Sequence, residues 1–96
     1  MSSGVTAGEV RSFITAHLGG AFRENGVAAG EVGDDFDLLK MGIIDSIGFI
    51  GLISAIEDHF GVEVDFEDMD TDNLTVIGPI SRYIEERALK KDGVTR

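Results

Sequence analysis

Residues 46–60, SIGFIGLISAIEDHF, constrain the fold more than any other stretch of the chain. Phe49, Leu52, Ile53, Ile56 and Phe60 recur at i, i+3, i+4, i+7 and i+11, the stripe of an amphipathic helix that faces a core. Both ends carry stop signals. Asp45 is a strong N-cap, because its carboxylate can accept the free N–H groups of the first turn. Gly61 stands where a left-handed residue closes a helix. Ser46 then falls at the first helical position with its hydroxyl toward solvent, where the positive end of the helix dipole favours an anionic group. Ile47 and Ile50 lie off the core stripe, beside Gly48, Gly51 and Ser54. Each glycine inside a helix costs roughly 1 kcal/mol relative to alanine, so this pair reads either as a tolerated weak helix or as a place where something must approach the backbone closely.

The rest of the chain reads as further helices around this one. Thr6 and Glu9 form a capping box, and Val10, Phe13, Ile14, His17 and Leu18 follow at helical spacing. The spacing predicts a first helix that continues through Phe22 to about Glu24 and stops at Asn25-Gly26, with His17 packed at the core edge. Residues 27–44 show no period and predict a long loop, pinned across the core by Phe36, Leu38, Leu39, Met41 and Ile44. A short extended link at Val62, Val64 and Phe66 leads to an acidic turn, with one helical turn near Asp70–Leu74. Ile77, Ile80, Ile84 and Ala88 give the buried face of a last helix over about 76–90, starting at or after Ile77 because Pro79 is tolerated only in the first turn. Tyr83 lies at its margin, and Arg87, Lys90 and Lys91 complement the dipole at its end. The expectation is an all-α bundle of three to four helices with a long first loop. It forms one domain over 1–96, with an ordered core of about 6–90 and a flexible tail at 92–96.

Charge and composition exclude several functions. The net charge is −10, with no Lys or Arg between Lys40 and Arg82. That argues against nucleic acid and anionic membrane as partners, and favours basic protein surfaces reached by salt-sensitive association. Glu57 and Asp58 begin this acidic interval after the Ser46 segment; the run also reads simply as solvated surface. The absence of cysteine removes disulfides and thiolate metal sites and fits a cytoplasmic protein. No signal peptide is visible, and no apolar run approaches the roughly 18 residues that span a bilayer.

Other chemistries fail on their own residues. Asp68, Asp70 and Asp72 open like an EF-hand loop, but Asn73 stands where Gly is required and Pro79 where a bidentate Glu is required. The two histidines, His17 and His59, lack metal-ligand spacing. Ser46-Ile47-Gly48 is half of a nucleophile elbow; Ile44 replaces the first Gly and no strand precedes the serine. His59 lies about 20 Å along the same helix at 1.5 Å per residue, too far to act as a base for Ser46.

The segment GIIDSIGFIGLISAIEDHFGVEV resembles the modification-site helix of acyl carrier proteins, which carries Asp-Ser-Leu and ends in Phe-Gly; here the words are Asp45-Ser46-Ile47 and Phe60-Gly61. The resemblance extends from about Thr6 to Ala88. It implies a 4′-phosphopantetheine arm on Ser46, installed from coenzyme A by a phosphopantetheinyl transferase and supplying the thiol the chain lacks. Asp45 would sit beside the arm. Ile47, Gly48, Gly51, Ser54, Glu57 and Asp58 would face partner enzymes: an acyltransferase, a ketosynthase or an adenylating enzyme with a basic docking surface. The protein would be a monomeric carrier and not itself an enzyme. Glycines at 48 and 51, where fatty-acid carriers usually place acids, point away from general fatty-acid synthesis and toward polyketide or mixed polyketide–peptide biosynthesis. The alternative cargo is an amino acid, as in proteins resembling D-alanyl carrier proteins. The alternative of another class is an acidic interaction module without a cofactor.

Overall fold

The computed structural model describes residues 5–68 and 73–94. Among these residues the chain forms four α-helices: α1 (Ala7–His17), α2 (Gly19–Glu24), α3 (Ser46–Phe60) and α4 (Ile77–Val94). The capping box opens α1 as expected, with the Glu9 N–H donating to Thr6 Oγ1 at 3.1 Å and the Thr6 N–H to Glu9 Oε1 at 3.2 Å. The single first helix anticipated from periodicity is broken at Leu18 (φ −99°, ψ 14°), where Gly19 and Gly20 weaken helical continuity. Hydrogen bonds nevertheless run through the break, from Leu18 N–H to the Ile14 carbonyl and from Phe22 N–H to that of Leu18. Leu18 and Phe22 therefore both stay in the core. Gly26 ends α2 at φ +72°, as the Asn25-Gly26 pair predicted.

The core is aliphatic. Val10 and Ile14 of α1, Leu52 and Ile56 of α3, and Ile77, Ile80 and Ile84 of α4 are almost completely buried, and Phe22, Phe49 and Ile53 close around them. His17 departs from expectation: it is exposed and stacks on Phe13 at 5.6 Å. His59 of α3 stacks on the same ring at 4.6 Å, so Phe13 ties α1 to the far end of α3.

Backbone pairing with the start of α4 holds the long loop. Leu38 N–H donates to the Thr75 carbonyl at 2.9 Å, Ile77 N–H to Phe36 at 3.0 Å and Gly78 N–H to Asp34 at 2.7 Å, around an antiparallel bridge between Asp37 and Val76. Leu38 is fully buried and Phe36 and Ile44 pack against the core, but two expected anchors do not: Leu39 and Met41 are exposed, and Ile43 is buried instead. The cause is local. Asp37 Oδ1 accepts the N–H groups of Leu39 and Lys40, each at 3.1 Å, and turns the chain outward just after Leu38. Gly42 (φ +77°) turns it back, and Ile43 N–H returns to the Leu38 carbonyl at 2.9 Å.

After α3, Val62 is buried and Val64 partly so, and one 3₁₀ turn covers Phe66–Asp68. The helical turn expected near Asp70–Leu74 falls largely on residues 69–72, outside the described residues. The Tyr83 hydroxyl fastens this link to α4 by accepting from Asp65 N–H at 2.9 Å and donating to the Asp65 carbonyl at 3.1 Å. Because α4 continues to Val94, Arg87 lies well inside the helix. It donates to the Glu63 carbonyl at 3.1 Å and pairs with Asp68 at 3.5 Å rather than closing the helix end. Of the tail expected to be flexible, Thr95 and Arg96 lie outside the described residues.

Candidate functional site

The site is built at the start of α3. Asp45 adopts an extended conformation (φ −98°, ψ −174°), and its Oδ1 accepts the Gly48 N–H at 2.7 Å while its carbonyl accepts the Phe49 N–H at 2.8 Å. Ser46 follows as the first helical residue and is exposed. Helix geometry gives the N–H groups of Ser46 and Ile47 no intrahelical carbonyl, so the hydroxyl stands beside donors available to an anion. An open hollow adjoins it, lined by Leu39, Gly42, Ile43, Ile44, Asp45 and Ser46.

The two glycines of α3 differ. A Cβ on Gly48 would lie 3.2 Å from both Asp45 Oδ1 and Ile44 Cβ, so its smallness is explained by the chain's own N-cap. A Cβ on Gly51 would meet nothing within 4 Å. Internal packing therefore gives no reason for glycine at 51. Ser54 and Asp58 are exposed on the same side of the helix. Glu57 is half-buried, and its Oε2 accepts the Val64 N–H at 2.9 Å, which gives it a structural task at the end of α3.

Asp45, Ser46, Ile47, Gly48 and Gly51 thus gather within the first turns. Glu57 and Asp58 lie at the other end, roughly 16 Å away at 1.5 Å per residue. His59 is held there against Phe13 and Phe60. Sequence reasoning missed the exposed Leu39 beside Ser46, having assigned it to the core. The available signal was Asp37 followed by Gly42, a side-chain-capped turn with a left-handed exit. No group of three or more potential metal ligands occurs among the described residues.

The family model for the phosphopantetheine attachment site matches residues 21–84, two thirds of the chain, including the loop, all of α3 and the first part of α4. The chain belongs to this family. Its prosthetic group is a covalently attached 4′-phosphopantetheine, and the start of α3 fits such a group: an exposed hydroxyl to esterify, backbone donors for a phosphodiester, and open space alongside. Among curated proteins, the carrier is similar to the D-alanyl carrier protein of Bacillus licheniformis, 33% identical over 52 residues that cover 54% of this chain and 67% of the relative. No solved structure matches. Among the described residues, no helix is long and apolar enough to cross a membrane.

Proposed function

We propose that Ser46 carries the 4′-phosphopantetheine arm and that the protein ferries an acyl intermediate as a thioester on it. The observation that supports this reading is an exposed hydroxyl at the capped start of α3, within the span matched by the attachment-site family. In loading, Ser46 Oγ displaces the adenosine bisphosphate half of coenzyme A. A phosphoester bond forms, a pyrophosphate bond breaks, and the transferase takes the hydroxyl proton. The chain itself contributes the positioned nucleophile and the helix N-terminus. It tethers cargo at high effective concentration for partner enzymes and catalyses no step itself. A cytoplasmic monomer fits this role.

Incubation of the apo-protein with coenzyme A, magnesium and a broad-specificity phosphopantetheinyl transferase should add one phosphopantetheinyl group by intact mass, and Ser46→Ala should add none. Absence of gain in the folded wild type would favour a cofactor-free acidic interaction module.

For the cargo we favour an acyl group of polyketide or polyketide–peptide biosynthesis, supported by the uncharged glycine positions 48 and 51. An aminoacyl cargo is the second reading, supported by the similarity to a D-alanyl carrier protein. Loading holo-protein with an acyltransferase and malonyl-coenzyme A, against an adenylating enzyme with ATP and D-alanine, separates the two by the mass of the thioester formed.

A further inference from the structure

Four of the six exposed large hydrophobic side chains among the described residues belong to one neighbourhood. Ile47 (80% exposed) adjoins Ser46 and Ile50 (59%) lies one helical turn above it; Leu39 (38%) lines the hollow that Ser46 shares, and Met41 (58%) sits in the same turn. From Ser46 to Ile56 no side chain is ionisable. Asp45, at the edge, has an oxygen engaged by Gly48 N–H. The acids come later, at Glu57, Asp58, Glu63, Asp65 and Glu67.

We propose that the phosphopantetheinyl transferase loading Ser46 grips an uncharged apolar collar formed by Ile47, Ile50, Met41 and Leu39, while the distant acids govern encounter. The proposal rests on Ser46 being the attachment residue. An enzyme that makes a bond to Ser46 Oγ must bring its reacting atoms to within about 3.5 Å, so its surface covers the neighbouring side chains. A basic rim there would bury cations against isoleucine, an unpaired arrangement that costs affinity. An apolar rim would instead remove four exposed hydrophobic side chains from water. The acids beyond Ile56 act through a screened field, which raises the association rate more than the strength of the final contact. Gly51, with open space where a side chain would stand, lies one turn from Ile47 and lets the enzyme's surface close on the helix backbone.

Steady-state loading by the broad-specificity transferase tests this, with variants checked for fold by circular dichroism and melting temperature. Ile50→Glu and Ile47→Ser should each raise KM about tenfold, a change of hot-spot size, with kcat little altered and the effect persisting at high salt. Gly51→Ala should raise KM while also raising Tm. Asp58→Asn should lower kcat/KM at low salt and lose that effect at high salt. The proposal is overturned if the isoleucine variants load normally while Asp58→Asn raises KM at all salt concentrations. It is also overturned if sedimentation shows a dimer that Ile50→Glu dissociates, which would give the collar to a second copy of the chain. A wild type that accepts no arm at all defeats the attachment reading itself, an outcome distinct from both.

Discussion

At the start of α3, two residues act as a unit. Asp45 caps the helix through Gly48 N–H, and the carboxylate fits because residue 48 has no side chain to crowd it. Asp45→Ala should cost about 1 kcal/mol, and Asp45→Asn much less, since an amide oxygen can also cap. In a chain of this size the loss would lower Tm by about 4–8 °C. Gly51→Ala should stabilise by about 1 kcal/mol, because helix propensity improves and the new methyl meets nothing. Gly48→Ala should gain less, because its methyl would press on Ile44 and Asp45 at 3.2 Å. Urea titrations of the two alanine variants decide the matter: equal gains would mean that the cap does not crowd Gly48. Ser81 offers an independent check. Its hydroxyl is buried on α4 with no hydrogen-bond partner. Ser81→Ala should stabilise the protein by roughly 1 kcal/mol, since burying an unsatisfied hydroxyl is unfavourable. A loss of stability in the same titration would show that the hydroxyl is satisfied in solution.

Among the elements, α3 and α4 were legible because periodicity and caps agree: a stripe at helical spacing, Asp before it and Gly after it in α3, and Pro79 confined to the first turn of α4. The exposed serine was legible for the same reason, since a residue just inside a capped terminus has few neighbours. The loop was not legible. Its hydrophobic residues gave no period, and their burial depends on polar bonds. Asp37 Oδ1 accepts from Leu39 N–H, Lys40 N–H and, at 2.6 Å, the Thr75 hydroxyl 38 residues away. Without knowledge of that long-range partner, Leu39 and Ile43 look interchangeable. Burial alone would push the Asp37 pKa up; the Thr75 hydroxyl, the two backbone donors and the charge of Lys40 outweigh it and hold the pKa below its ordinary value. The ionised form is therefore favoured by folding. Its contribution is present above the unfolded carboxylate pKa of about 3.9 and is lost as pH falls through the lower folded value. Asp37→Asn, which keeps an acceptor, should be milder than Asp37→Ala at neutral pH and should reduce the loss of stability between neutral pH and pH about 3. Denaturant midpoints at the two pH values give the comparison, and an unchanged acid slope would remove Asp37 from the account. The same clamp makes Gly78 irreplaceable: a Cβ there would lie 2.7 Å from the Asp34 carbonyl oxygen. Gly78→Ala should destabilise by about 1–3 kcal/mol through forced separation of loop and helix.

Across the whole molecule, charge and the proposed docking collar occupy different places, and this separation makes two observables respond oppositely to salt. The net charge of −10 is poorly compensated internally. The described ion pairs include Arg11–Asp34 at 3.1 Å and Arg87–Asp68 at 3.5 Å, largely solvent-accessible contacts of the kind that contribute little. Acid–acid repulsion in the folded state should therefore dominate the electrostatic part of stability. Screening shortens the reach of that repulsion to about 10 Å at 0.1 M ionic strength and to about 3 Å at 1 M. The melting temperature should rise with potassium chloride over this range. The association rate with a basic partner should fall over the same range, because screening removes attraction along with repulsion. Once such a complex has formed, contacts around Ser46 are uncharged, so the dissociation rate should change little. Stopped-flow binding and thermal melts on one protein sample, in one salt series, read all three quantities. A melting temperature that fell with salt would mean that attractive pairs outweigh repulsion in the folded state. A dissociation rate that climbed steeply with salt would move the grip from the isoleucines to the acids.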